Sequence, residues 1–342
     1  MGDAAAMPWG ALAVVLAVAA ALSVGLVAVL RPLLARYALA RPNARSSHKQ
    51  PTPQGGGIAV VTAALISLWL GALLAPGFAD GRTQLLVLSF SAILLALIGA
   101  VDDIRGLGPA PRLLMQLLAV GIVVAALPAD FSIVPQLPVT AERALLLLGG
   151  VWFVNLVNFM DGIDWMTVAE VVPVTAAIAL LGLIGAAPPT AVLVALALLG
   201  GMIGFAPFNR PIAKLFLGDV GSLPIGLMLG WMLLLLASRG HVAAALLLPL
   251  YYLADATITL GRRLARGERV WQAHRTHFYQ RALDGGFTVN DVVVRVFVLN
   301  IALAILALVS AIEPDLRVDL ATLALGGALV AWLLITVARG KP

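Results

Sequence analysis

PWGALAVVLAVAAALSVGLVAVL, residues 8–30, holds no charged side chain. A helix needs roughly 20 such residues to cross the hydrocarbon layer of a bilayer. Asp3 is the only charge before this run and Arg31 follows it. A secretory leader has a basic residue first, so the run is expected to stay as a span with its N-terminus outside. Ten further apolar runs follow, over 57–75, 84–101, 113–128, 143–158, 168–186, 190–207, 222–238, 242–260, 291–312 and 319–338. The joins near Pro188-Pro189 and Arg239–His241 are very short, and one run can be re-entrant. The whole chain agrees: of 342 residues 61% are hydrophobic and 11% charged, with mean hydropathy +1.03. Soluble domains lie nearer 45–50% and 25%. A soluble enzyme, a disordered chain and a secreted disulfide scaffold are therefore excluded. Alternation of period two is absent, which disfavours a membrane β-barrel. The expected fold is all-α: one polytopic membrane domain over 1–342 with about 10–11 transmembrane helices.

Orientation follows from the basic residues. Seventeen of the 22 Lys and Arg fall in alternate loops beginning at Arg31, and four fall in the others. That asymmetry places the Arg31 side in the cytoplasm. Asp3, Asp80, Asp130, Glu142, Glu313, Asp315 and Asp319 fall outside and read as loop charges. Asp102, Asp103, Asp161, Asp164 and Asp219 fall inside, at the ends of spans. Carboxylates at that depth are costly and usually face a polar cavity.

Five inside loops carry chemistry. The first, Ser46 to Gly57, contains His48, then Pro51 and Pro53, then Gly55-Gly56-Gly57. The prolines extend the chain, and the glycines are expected to leave N–H groups open to an anion where the next helix starts. A stiff linker is the plainer reading. The second has Asp102-Asp103, with Arg112 and Gln116 four apart on the following helix. Adjacent carboxylates at a helix end cannot share a face. One can meet a metal or proton while the other pairs with a base; a solvated loop with Asp103 on Arg105 is the alternative. The third places Asn158, Asp161 and Asp164 at i, i+3 and i+6, with no Lys or Arg. On a continuous helix they would line one side with hard oxygen ligands, which suit Mg²⁺ rather than Zn²⁺. The fourth sets Asp219 between small residues at the mouth of a span, as metal or phosphate contact or as helix cap. The fifth holds Arg262-Arg263, Trp271, His274, Arg275 and His277. Read as helix, His274 and His277 share a face. Four histidines and no cysteine make a zinc site hard to assemble, so a cationic phosphate site is expected. Asp255, inside a span, shares a face with Arg262; pairing and substrate contact both stay open.

These loops, in this order, resemble the polyprenyl-phosphate N-acetylhexosamine-1-phosphate transferase family, which includes the phospho-MurNAc-pentapeptide translocase. His48–Gly57 matches its H-x-x-P-T-P-x-G-G loop and Asp102-Asp103 its aspartate pair. Asn158–Asp164 matches N-x-x-D-G-x-D, Gly218–Leu223 matches G-D-V-G-S-L, and His274–His277 resembles H-x-H-H. The similarity spans roughly residues 30–285. Two positions depart: Trp165 stands where the family has glycine, and Thr276 where better-known branches have histidine. The stretch His274–Gln280 looks like the branch that initiates O-antigen or capsule chains.

The resemblance implies that undecaprenyl phosphate attacks the β-phosphorus of a UDP-N-acetylhexosamine or related UDP-sugar and releases UMP. Asn158 and Asp219 would hold Mg²⁺, with Mn²⁺ as a substitute. Asp102 would act as base with Asp103 assisting, and Asp161 and Asp164 would meet nucleotide or organise the site. His48, Arg112, His274, Arg275 and His277 would bind phosphate or nucleotide. The expected setting is a bacterial inner membrane, with the site facing the cytoplasm, membrane lipid around it and no nucleic acid; a homodimer is the assembly to test. Phosphoryl transfer between two anions needs such cations. A transporter with a charged cytoplasmic gate is the rival, but transporters gather charge near the midplane rather than at one interface. A CDP-alcohol phosphotransferase would need Ala-Arg after Asp161–Asp164, which is not there.

Overall fold

The computed structural model describes residues 7–40, 51–270, 272 and 274–341. With no water in a bilayer core, a chain this apolar must pair its backbone within each segment, and it does so as helices. They are α1 (Trp9–Tyr37), α2 (Gly57–Leu74), α3 (Arg82–Arg105), α4 (Pro109–Ala125), α5 (Val139–Met160), α6 (Met166–Leu183), α7 (Pro189–Asn209) and α8 (Asp219–Ser238). Then come α9 (Val242–Leu247), α10 (Leu250–Ala265), α11 (Phe278–Asp284), α12 (Val289–Ile312) and α13 (Leu316–Arg339). Among the described residues nine helices are long and apolar enough to cross a membrane, and α4 is a shorter apolar helix. The chain is an all-α, multi-pass membrane protein.

One expected span differs. The run over 242–260 is two helices, α9 and α10, broken at Leu248-Pro249. Proline has no N–H to give and its ring crowds the carbonyl one turn back, so the helix restarts after it.

The most enclosed helix is α8, with 83% of its apolar window buried against 28% for α1. It is apolar on every side, as a helix in the middle of a bundle must be. It packs on α2, α3, α5 and α9. Two of these approaches are backbone to backbone. A Cβ on Gly57 of α2 would overlap Gly221 of α8, and one on Gly99 of α3 would overlap the Asp219 carbonyl. Such small-residue contacts let helices close without a hydrophobic driving force.

Ahead of α2 the chain is extended, as Pro51 and Pro53 require. Strand β2 (Thr52–Pro53) pairs antiparallel with β1 (Leu39–Ala40), and Gln54 bridges to Phe216. The loop glycines behave otherwise than expected. Gly55 and Gly56 donate to the Phe216 carbonyl and Gly57 to that of Leu217, at 2.8–3.2 Å. Their N–H groups join the first loop to the fourth and are not open to an anion.

Candidate active site

Helix α3 ends in Asp102, Asp103, Ile104 and Arg105 and stops at Gly106, whose left-handed φ of 67° suits glycine. Neighbours on a helix point about 100° apart, so the two carboxylates leave in different directions. Asp102 accepts the Leu107 N–H at 2.5 Å and Arg112 Nη1 at 3.0 Å. Asp103 turns to α8, accepting the N–H of Asp219 at 2.9 Å and of Val220 at 3.1 Å. The Gln54 amide also donates to it, at 2.5 Å. Asp103 therefore caps the N-terminus of α8, where the helix dipole favours negative charge. It does not pair with Arg105. Gly218 makes room for it: the φ there is +78°, and a Cβ would sit 2.5 Å from Asp103 Oδ2.

Asp219, the first residue of α8, faces the other way. Its Oδ1 accepts Asn158 Nδ2 at 2.7 Å, and Asn158 also donates to Ser222 Oγ at 2.9 Å. Arg112, at the start of α4, lies 3.0 Å from Asp102 and 3.7 Å from Asp219. One guanidinium is thus shared by two carboxylates, with a third, Asp103, alongside. Behind it Gln116 receives Asn155 Nδ2 at 2.6 Å.

The third loop does not line one helical face. Helix α5 ends at Met160, and Asp161, Gly162 and Asp164 lie in irregular chain. The helix stops at Met160 with Asp161 as its cap, so the i, i+3, i+6 register holds only for its first member. Asp161 accepts the Thr167 hydroxyl. Burial pushes its pKa up to about 7, with the carboxylates of Asp103 and Asp164 adding to the rise against the Thr167 bond. Asp164 turns away and accepts the Ala213 N–H at 2.9 Å. Trp165 follows with φ 62°, in the left-handed region that favours glycine. The strain is held by two bonds, from its N–H to Asn209 Oδ1 at 2.8 Å and from Nε1 to the Ala206 carbonyl at 2.6 Å.

The fifth loop also departs from the helical expectation. Helix α11 begins only at Phe278, with His277 as its cap. His274 and His277 are still brought together, by a turn: their rings stack with centroids 4.9 Å apart. Arg275 pairs with Asp284 at 3.3 Å. Arg262 does not meet Asp255 but lies over the Phe278 ring, 4.6 Å from its centroid. Asp255 meets His277 Nδ1 instead, at 3.1 Å. Tyr279 donates to the Phe159 carbonyl at 2.9 Å, tying this loop to the end of α5. His48 lies outside the described residues.

Residues 85–237 match the family described as glycosyl transferase family 4. A probable undecaprenyl-phosphate N-acetylglucosaminyl 1-phosphate transferase of Bacillus subtilis (strain 168) is 25% identical over 298 residues, covering 83% of this chain and 81% of that protein. A decaprenyl-phosphate N-acetylglucosaminephosphotransferase of Mycobacterium leprae (strain TN) is 28% identical over 311 residues, covering 80% and 76%. A phospho-N-acetylmuramoyl-pentapeptide-transferase of Leuconostoc citreum (strain KM20) is 30% identical over 194 residues, covering 52% and 60%. The chain is a transferase related to the polyprenyl-phosphate N-acetylhexosamine-1-phosphate transferases.

Within that kinship the geometry separates two groups. Asp102, Arg112, Asn158 and Asp219 converge, with Asp103 behind them as their anchor. Asp161 lies near enough to Asp103 to feel its charge, whereas Asp164 is engaged with the chain at Ala213. Several residues that build the site escaped the sequence reading. Gln54 holds Asp103, Ser222 holds Asn158, and Tyr279 closes the end of α5. Arg263, buried at the end of α10, pairs with Glu268 at 2.8 Å and donates to the Arg269 and Gln272 carbonyls, which shapes the loop beyond it. Ser222 lies in the G-D-V-G-S-L stretch and was the most accessible of these; the others need the tertiary fold.

Proposed function

We propose that the chain transfers an N-acetylhexosamine-1-phosphate from a UDP-sugar to undecaprenyl phosphate, at the cytoplasmic face of a bacterial inner membrane, as the first step of an O-antigen, capsule or other envelope polysaccharide. The observation that carries this reading is the convergence of Asp102, Arg112, Asn158 and Asp219, from four different helices, at one end of the bundle. An oxygen of the lipid phosphate forms a bond to the β-phosphorus of the donor, and the bond to the UMP oxygen breaks. Both reactants are anions, so charge must be offset where they meet.

The donor set suits Mg²⁺. Two carboxylates, Asp102 and Asp219, share Arg112, and the available atoms are hard oxygens of Asp219 and Asn158. Among the described residues no cluster of three or more His, Asp or Glu could hold a metal by itself. Mg²⁺ is commonly held by one or two carboxylates plus substrate phosphates, which fits Asp219 with Asn158. Bound there, Mg²⁺ or Mn²⁺ would offset the charge of the donor diphosphate. Arg112 binds phosphate while keeping Asp102 oriented. Asp102 takes the proton of a lipid phosphate monoanion. Asp103 keeps α8, and with it Asp219, in register. His274, Arg275 and His277 add positive or hydrogen-bonding groups for phosphate. An apolar cavity of about 290 Å³ between α4, α5, α8 and the α9–α10 pair, lined by Val120, Phe153, Trp231, Leu234 and Leu253 among others, supports this reading, since its walls suit a segment of a prenyl chain.

The test is UMP release by purified protein given a UDP-N-acetylhexosamine and undecaprenyl phosphate. Release should require both substrates and Mg²⁺ or Mn²⁺. Full activity in EDTA would reject the metal, and UMP without lipid phosphate would reject the acceptor.

A further inference from the structure

Asp255 is the most heavily hydrogen-bonded carboxylate outside the site described above. It is fully buried in α10, and five groups reach it. Oδ1 receives the Phe278 N–H at 3.0 Å, His277 Nδ1 at 3.1 Å and the Thr259 hydroxyl at 3.3 Å. Oδ2 receives the Tyr279 N–H at 3.1 Å and the Tyr251 hydroxyl at 3.3 Å. A carboxylate can only accept. With Asp255 ionised, the bond assigns the proton to the ring nitrogen of His277 that faces it. His277 is itself 2% exposed, so the ring has no solvent in which to turn over. Its faces are also occupied, with His274 stacked at 4.9 Å and Tyr279 at 5.7 Å.

We propose that Asp255 is a positioning residue for the phosphate-binding histidines: it fixes His277 with the proton on Nδ1, turns Nε2 away from α10, and makes the ring a fixed plate on which His274 stacks. The inference rests on the transfer reading and goes one step behind it. Histidines that serve a reaction are commonly held by a carboxylate on their far nitrogen, which sets both tautomer and ring angle. The carboxylate does a second task at once, since the same oxygens hold the first two N–H groups of α11. The ring and the helix that follows it are thereby placed by one group. Asp255 touches no substrate in this assignment; it reaches the phosphate site through the His277 ring, and the N–H groups of α11 that it holds carry the backbone of that ring.

Three substitutions, one double variant and one spectrum test it. Asp255→Asn keeps size but offers an amide donor to a nitrogen that already donates. The turnover number for UMP release should fall about 10–100-fold, the scale seen when the partner orienting a histidine is lost. In a His277→Ala background the same change should lower turnover far less than it does in the wild type. His277→Asn keeps a donor where Nδ1 was, and can keep the bond to Asp255, but has no Nε2; its turnover should be as low as that of His277→Ala. Histidine-labelled protein should show His277 protonated at Nδ1 in its ¹⁵N spectrum, a readout independent of activity. Wild-type turnover in Asp255→Asn, wild-type turnover in His277→Asn, or a proton on Nε2 alone would each overturn the proposal. If Asp255→Asn does not fold, the two His277 variants and the spectrum still decide. Absence of UMP from the wild-type protein would strike the transfer reading instead, and the spectrum would still report the tautomer.

Discussion

Asp103 and Asp255 use the same device in two places. Each projects from one helix and accepts two consecutive N–H groups at the start of another: Asp219 and Val220 for Asp103, Phe278 and Tyr279 for Asp255. The difference lies in the third partner. Asp103 is joined by the Gln54 amide, which does not titrate, and Asp255 by the His277 ring, which can hold a proton on either nitrogen. The first arrangement fixes a long buried helix that carries Asp219. The second fixes a seven-residue helix and a ring. Capping chemistry is common to both, so what is attached to the cap decides whether it acts as scaffold alone or also orients a reacting group.

Four measurements break or sharpen this contrast. The largest effect is expected at the residue Asp103 holds in place. Asp219→Ala should lower UMP release by about three orders of magnitude, since charge stabilisation of this kind is worth several kcal/mol and each 1.36 kcal/mol is tenfold. Its melting temperature in detergent should stay near that of wild type. A mild loss of activity would separate the α8 cap from the chemistry.

Next comes Asp103→Ala, which strands two backbone N–H groups and the Gln54 amide. Each buried group left unsatisfied costs about 1–3 kcal/mol. Melting temperature and activity should fall together. If activity alone falls, Asp103 belongs to the reacting groups and the parallel with Asp255 fails.

Gly57→Ala probes the same helix end from α2. A methyl group there would overlap Gly221, and overpacking costs about 1–3 kcal/mol. Thermal unfolding in detergent would show it. An unchanged melting temperature would mean that α2 can shift without disturbing α8.

The smallest expected effect is a pH slope. Burial raises Asp161 from 3.8 to about 7. An acid whose folded pKa is raised favours the folded state most when protonated. Its contribution is fully present below about pH 4 and is lost as pH rises through about 7. Stability of the wild type should fall across that window, and Asp161→Asn should flatten the fall. An equal slope in the variant would assign it to another carboxylate.

Much of the fold could be read from local sequence, because a charge-free run long enough to cross a bilayer has one cheap conformation. The break at Pro249 was visible in principle, since a proline sits inside the run. Of the site, Asp102, Asp103, Asn158 and Asp219 could be read because carboxylates and amides at span ends are too costly to be incidental. Their partners could not. The N–H groups of Gly55–Gly57 are taken by carbonyls some 160 residues further on, and no local pattern reports that. His274 and His277 do meet, though through a turn rather than a helix. Helical spacing sets Asp255 on one face with Arg262 and leaves pairing or substrate contact open, whereas its partner, His277, lies across an irregular loop. Trp165 marked a departure from the family pattern, and its positive φ explains why glycine is the usual occupant there.

The hydroxyl of Tyr279 on the carbonyl of Phe159 has a consequence for motion. Phe159 is in the last turn of α5, where carbonyls have no partner within the helix. The fifth loop supplies that partner, so fraying of one segment uncovers the other. The two should open as a single cooperative unit. In deuterated buffer, amides near residues 158–162 and 277–281 would exchange at matched rates. A ligand that seats on either segment would slow both.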